Sequence, residues 1–429
     1  MSCPLVSLSR PLSVPPPPPP SPGAPNLFLA RQPILDAHGR LHGYELLFRS
    51  GPENAFGTCD PDAASHQTIG AGVMGFGLDS LVGESLAFIN ATRDVLVSGV
   101  VRSLPEERVV IEILETVPPD DEVVAACRDL WEDGYRFAMD DWEGPGDRDA
   151  LLPFCHMVKL DVLDADSDRL VELAGWGLGS GMPFVAERVE TRAMHREVTG
   201  LGFTFFQGYY FCEPEMVQGR QLEANQVSRL RLLQLMSDPD LDFDQVEDVI
   251  RQDVALPVTL LRYLNSAAFG WRHEVESIGH GLRIMGEVNL RRWALMATLM
   301  GLGEGHPAEL INLSLMRAHF CEAIAVRAWA GARSLDAFLV GLLANLDALL
   351  GHSMEGISGS MSLPEDVASA LLARTGPLSD LLAYARAFEL GDWEAVSRLG
   401  SEMGVRGEEV PALYAEAAVR GRKILQSGS

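Results

Sequence analysis

The chain has 429 residues, 47% hydrophobic and 22% charged, with 34 basic against 60 acidic side chains and a formal net charge of −26. That length predicts more than one domain, and the acidic balance excludes a general binder of polymeric nucleic acid, which needs a dense Lys/Arg surface; a divalent cation suits such a field. Cys3, Cys59, Cys127, Cys155, Cys212 and Cys321 form no Cys-x-x-Cys pair, no apolar run reaches membrane-spanning length and no leader pattern opens the chain, so zinc, disulfides and membrane insertion are not expected and the expected location is cytoplasmic.

Residues 1–25 read as a tail around the unbroken run Pro15–Pro20. Such a run favours polyproline II and lacks backbone donors, so it is either a solvated extension, the favoured reading, or a docking ligand for a proline-binding partner. Over 26–218 short apolar runs alternate with helix-like stretches. Strands are predicted at Leu27–Ile34, Leu41–Phe48, Leu86–Asn90, Val109–Ile113, Arg136–Asp141, His156–Leu160, Pro183–Glu187 and Phe203–Gln207. The turn-like Asp36-Ala37-His38-Gly39 makes the first pair antiparallel. The alternation that follows predicts a parallel sheet, and its strand number fits a closed TIM-like (β/α) barrel with one reversed strand. An open doubly wound sheet is the rival, but no Gly-x-Gly-x-x-Gly opens a helix after these strands, and the Gly175–Gly179 run reads as a plain loop before a strand. From 226 to 426 the strand signals vanish. Leu313, Met316, Phe320 and Ile324 recur at helical spacing, so this half is expected to be all-α.

The barrel strands end in polar residues. Glu45 lies in the second, and Asn90 and Glu112 end the third and fourth. Asp140 and Asp141 end the fifth, Lys159 and Asp161 the sixth, Glu187 the seventh and Gln207 the eighth. In a (β/α) barrel these ends converge on one mouth. A single strand-end carboxylate is usually a solvated cap or an ion pair; so many together need a compensating cation. Hard oxygen donors with one amide, and no His or Cys, suit Mg²⁺ or Mn²⁺, with enough ligands for two ions.

Here the residues carry a resemblance. Tyr44-Glu45-Leu46-Leu47-Phe48-Arg49 resembles the Glu-Ala-Leu signature of EAL domains, the cyclic di-GMP phosphodiesterases. Phe88-Ile89-Asn90, Ile111-Glu112-Ile113-Leu114-Glu115, Ala138-Met139-Asp140-Asp141-Trp142, Val158-Lys159-Leu160-Asp161, Ala186-Glu187-Arg188-Val189-Glu190 and Gln207-Gly208-Tyr209 follow in that family's order. The resemblance implies a first metal at Glu45, Asn90, Glu112 and Asp140, with Asp140, Asp141 and Glu187 serving a second metal or its waters. It implies that Lys159 orients or deprotonates the attacking water, that Gln207 positions water or ligand, and that Glu115 braces the loop after the fifth strand. Arg49 would grip a phosphate, with Asp161 and Arg188 on the substrate side, and cyclic di-GMP would be opened to pGpG. The chain departs from the family at Leu46, bulkier than the signature alanine and beside the metal glutamate, and in the loop Trp142-Glu143-Gly144-Pro145-Gly146. Arg188 replaces a glycine; its side chain either contacts a phosphate or points outward.

Residues 226–426 resemble an HDOD domain, a relative of the HD phosphohydrolases without their metal site. The stretches that carry this are Leu260–Phe269 and Ala337–Leu343. Where an HD enzyme has His-Asp this chain has Ala344-Asn345, which cannot replace those ligands. His280 and His319 read as structural, and Asn265 either bridges helices or contacts a partner. The bundle is expected to be an output module for an unknown protein partner, and a homodimer is admitted. Three function classes follow. The first is a cyclic di-GMP phosphodiesterase coupled to the HDOD domain; the second is a non-hydrolysing cyclic di-GMP sensor or scaffold, favoured by Leu46, Arg188 and the altered loop. The third is an unrelated metal-using barrel enzyme.

Overall fold

The computed structural model describes residues 27–50, 77–163, 165–212, 229, 231–232, 235–236, 241–253, 256–264, 278–302, 306–350, 354 and 363–428. The side chains of 27–29, 48–50, 258, 262, 302, 350, 408 and 426–428 are not among them. The proline-rich tail, Asn265 and the side chain of Arg49 therefore lie outside the described residues.

Eight strands close one barrel in chain order: β1 Leu27–Asp36, β2 Leu41–Ser50, β3 Leu86–Ala91, β4 Val109–Ile113, β5 Arg136–Met139, β6 Cys155–Asp161, β7 Phe184–Glu187 and β8 Phe205–Gln207. β1 runs antiparallel to both β2 and β8, and the other neighbours are parallel. The one reversed strand expected from the sequence is thus β1. Its hairpin forms because Asp36 Oδ1 accepts from the amides of His38 (2.8 Å) and Arg40 (2.9 Å), while Gly39 takes the left-handed φ of 73° that closes the turn. Between strands lie α1 Leu78–Val82, α2 Arg93–Ser98, α3 Asp121–Glu132, α4 Ser167–Ser180 and α5 Arg192–Gly200. Asp120 and Thr191 cap α3 and α5 through side-chain oxygens.

The Gly175–Gly179 run is not a loop. It lies inside α4, and a Cβ on Gly177 would stand 2.5 Å from the Phe184 ring of β7. Close packing of helix on strand outweighs the poor helix propensity of glycine there.

The helical half contains α6 Phe243–Gln252, α7 Leu256–Leu264, α8 Ile278–Met285, α9 Glu287–Leu302, α10 Ala308–Trp329, α11 Ser334–Leu343, α12 Leu346–Leu350, α13 Glu365–Ala368, α14 Pro377–Leu390, α15 Trp393–Met403 and α16 Val410–Gly428. Leu313, Met316, Phe320 and Ile324, the expected stripe, are all buried on α10. No described helix is long and apolar enough to cross a membrane.

The two halves meet along a polar seam. Tyr44 of β2 donates to Glu309 of α10 (2.8 Å), Asn312 donates to Tyr44 (3.2 Å), and Arg31 lies 4.3 Å over the Tyr44 ring. Every member is buried, so each polar group needs the others. Deeper in the bundle, Arg317 of α10 grips Glu389 of α14 through two bonds of 2.8 and 2.6 Å, and donates to Asn345 at 3.0 Å. Asn345 therefore belongs to a structural network with Ser314 (3.4 Å). His280 is exposed, and His319 packs edge-on against Phe338.

Candidate metal centre in the barrel mouth

The barrel interior is layered by strand parity. Ile34, Phe88, Val110, Ala138, Met157 and Val185 form a closed apolar cluster. Side chains two residues further along a parallel strand point the same way. That step leads from Phe88 to Asn90, Val110 to Glu112, Ala138 to Asp140, Met157 to Lys159 and Val185 to Glu187. On the reversed β1 it leads backwards, from Ile34 to Gln32. The apolar cluster is thus the floor of a polar ring.

Lys159 stands at the centre of this ring, its side chain 1% exposed. Its Nζ lies 2.8 Å from Glu112, 2.8 Å from Glu187, 3.0 Å from Asp140 and 3.2 Å from Glu45. Glu45 also accepts from Asn90 (3.1 Å) and from Gln207 (2.6 Å). One cation against four carboxylates leaves a negative excess in a largely buried site. Burial, with Glu45 and Asp140 adding repulsion, pushes Glu112 well above the usual carboxylate range. Burial likewise raises Glu187 to about 7, Lys159 opposing and Asp140 and Glu45 reinforcing it. Burial acts against the charge of Lys159 too, but Glu112, Glu187, Glu45 and Asp140 outweigh it and hold the ammonium well above its ordinary pKa. In this arrangement Lys159 is a fixed cation, suited to orienting a water rather than to taking its proton.

The donor set fits a hard divalent ion. Asn90 Oδ1, Gln207 Oε1 and Glu112 Oε2, the Glu112 oxygen turned away from Lys159, are buried without a hydrogen-bond donor, a costly state that a cation would relieve. Among the described residues no three carboxylates stand ready-splayed for an ion; their oxygens are drawn onto Lys159 instead.

The expected site residues fall into two groups. Glu45, Asn90, Glu112, Asp140, Lys159, Glu187 and Gln207 come together. Asp141, Asp161 and Arg188 form an outer rim. Arg188 pairs with Asp161, so its side chain lies along that rim. Asp141 is exposed to solvent at its edge yet partly desolvated by its neighbours; that desolvation, then repulsion from Asp161, Glu115 and Glu143, raises its carboxyl. Asp141 and Arg188 both hold positive φ, 46° and 52°, strain of the kind that persists where surrounding contacts over-determine the backbone. Leu46 does not crowd Glu45. Side chains alternate along a strand, so it faces away from the barrel interior and is buried in the outer core.

Two contributors have no place in the sequence reading. Arg148 binds the carbonyls of Asp140 (2.9 Å), Ile113 (2.8 Å) and Leu114 (3.0 Å), tying the loop after β5 to the end of β4. Glu115, expected to brace that loop, is exposed. Trp142 secures the other flank, buried 4.5 Å from Trp176. Gln32 accepts from Gln207 at 2.8 Å, and its signal was its parity with Ile34.

Residues 225–354 match the family model of the HDOD domain. The chain is 36% identical, over 91% of its own length and 91% of the relative's, to "Cyclic di-GMP phosphodiesterase CdgJ" of Vibrio cholerae. It is 30% identical to "Uncharacterized protein YuxH" of Bacillus subtilis, over 91% of this chain and 97% of that one. Among solved structures, the calcium/cyclic di-GMP complex of Klebsiella pneumoniae BlrP1 aligns with 44% of this chain and 56% of its own, at 22% identity and a TM-score of 0.38. With the ordered motifs on a closed barrel and an HDOD match behind it, the chain belongs to the family that joins an EAL-type barrel to an HDOD domain.

Proposed function

We propose that this protein hydrolyses cyclic di-GMP to pGpG with divalent cations, Mg²⁺ or Mn²⁺, held in the barrel mouth. The observation that carries the reading is the four-carboxylate ring on Lys159 with orphaned oxygens of Asn90 and Glu112 inside it. The name of the Vibrio cholerae relative supports the substrate. Glu45, Asn90, Glu112 and Asp140 would hold the first ion, with Asp140, Asp141 and Glu187 serving the second or its waters. Such ions supply neutralisation of the phosphodiester charge and a water that is acidic at neutral pH. The chain's own groups do the rest. Lys159 orients the water and neutralises charge, Gln207 positions water or ligand, and the Asp161–Arg188 rim with Arg49 receives the dinucleotide. The helical half acts as the output module toward a protein partner.

The test is incubation of the full chain with cyclic di-GMP and Mn²⁺. Wild type is expected to yield linear dinucleotide, and Glu45→Ala to lose at least about a hundredfold in rate, as when a metal ligand is removed. Folded wild type that binds cyclic di-GMP in Ca²⁺ yet never opens it would establish the sensor reading instead.

A pH dependence follows. The folded pKa of Glu187, about 7, lies above its unfolded value near 4.5. Its stabilising contribution is complete below pH 4.5 and is lost as pH rises through 7. Metal binding needs the deprotonated ligand. Mn²⁺ is therefore expected to raise Tm more at pH 8 than at pH 6, in paired thermal scans; an equal shift at both would remove Glu187 from the ion's surroundings.

A further inference from the structure

The hydrogen bonds of Glu45 do not end inside the barrel. Gln207 Nε2 donates both to Glu45 Oε2 (2.6 Å) and to Gln32 Oε1 (2.8 Å), and Gln32 Nε2 donates to the carbonyl of Leu390 (3.2 Å). Leu390 is the last residue of α14, where helix carbonyls have no intrahelical donor and accept from outside. The polarity of this chain of amides is set from its far end. A carbonyl can only accept, so Gln32 must turn its NH₂ to Leu390 and its oxygen to Gln207. Gln207 must then present NH₂ to Gln32, and the same nitrogen reaches Glu45. Freed from Leu390, Gln32 could turn over and offer NH₂ to Gln207, whose amide would then have to turn its oxygen to Gln32 and surrender its donor bond to Glu45.

The rest of the helical half holds that carbonyl in place. Glu389, one residue before Leu390, is locked to Arg317 on α10. The same α10 holds Tyr44, the neighbour of Glu45, through Glu309 and Asn312. Gly391, which ends α14 at φ 70°, sits against Leu47 so closely that a Cβ would stand 3.0 Å from Leu47 Cδ1.

We propose that the end of α14 is a working part of the barrel site: Leu390 orients Gln32, Gln32 orients Gln207, and Gln207 holds Glu45. Gln32 is thus a positioning residue, and docking of the helical half tunes cation affinity in the barrel. The affinity part rests on the cation-dependent reading above.

The test uses the full chain and two readouts, Mn²⁺ affinity by titration without nucleotide and hydrogen exchange of the β1 peptide without metal. Gln32→Leu breaks the relay. Gly391→Ala strains the end of α14 from outside the barrel. Gly404→Ala imposes the same kind of strain at the end of α15, φ 69°, with open space around the new methyl. Mn²⁺ affinity is expected to fall about tenfold in Gln32→Leu, about threefold in Gly391→Ala and not at all in Gly404→Ala. Exchange in β1 is expected to quicken in Gly391→Ala alone of the two glycine variants. Unchanged affinity in Gln32→Leu and Gly391→Ala would overturn the proposal, as would equal β1 exchange in the two glycine variants. A folded wild type that takes no Mn²⁺ would overturn the cation reading itself. Exchange would then decide the relay alone, Gly391-dependent protection of β1 upholding it and equal exchange overturning it.

Discussion

Lys159→Met is expected to abolish hydrolysis, by about a thousandfold or more, and to destabilise the metal-free protein by roughly 3–5 kcal/mol, the usual cost of stripping a buried charge of its partner. The loss is large because four carboxylates converge on one ammonium that is almost wholly buried. Without it, Glu45, Glu112, Asp140 and Glu187 must repel one another or take up protons. A divalent cation can replace the missing charge, so Mn²⁺ is expected to restore much of the stability and little of the rate. Urea unfolding with and without Mn²⁺, beside a turnover assay, measures both. A metal-free variant as stable as wild type would show that Lys159 is not the internal counter-ion.

Arg317→Met is expected to cost about 3–5 kcal/mol in the helical half, because Glu389 would be left buried without its partner. Arg317 and Glu389 are 2% and 1% exposed and joined by two bonds. Replacing both, Arg317→Met with Glu389→Leu, is expected to recover most of that loss, since apolar groups of similar volume need no partner. The double-mutant cycle in urea gives the coupling directly. A double variant no more stable than Arg317→Met would assign the cost to the bond to Asn345 instead.

Much of the barrel was legible because parity and turn chemistry are local. The run Val109–Ile113 was found at its observed ends, and the Asp36–Gly39 turn set the direction of β1. The Gly175–Gly179 helix was not, since what keeps it helical is the Phe184 ring of another strand. Arg148 left no trace in the pattern for a similar reason: its partners are backbone carbonyls, which carry no residue identity. Leu46 looked like an intrusion beside Glu45 only while the two were read as neighbours in sequence; alternation puts them on opposite faces.

What the sequence by itself determined is the supply and order of the mouth's polar residues from β2 to β8: a carboxylate, an amide or, on β6, Lys159, at the parity that turns each toward the same mouth. What only the tertiary structure decided is where the charges settle and who holds them. Lys159 and Glu45 are 114 residues apart, and Gln32 and Leu390 are 358 apart. No local period encodes such meetings; they arise from closing the barrel and seating the helices on β1 and β2, where buried polar groups accept only the neighbours that satisfy them.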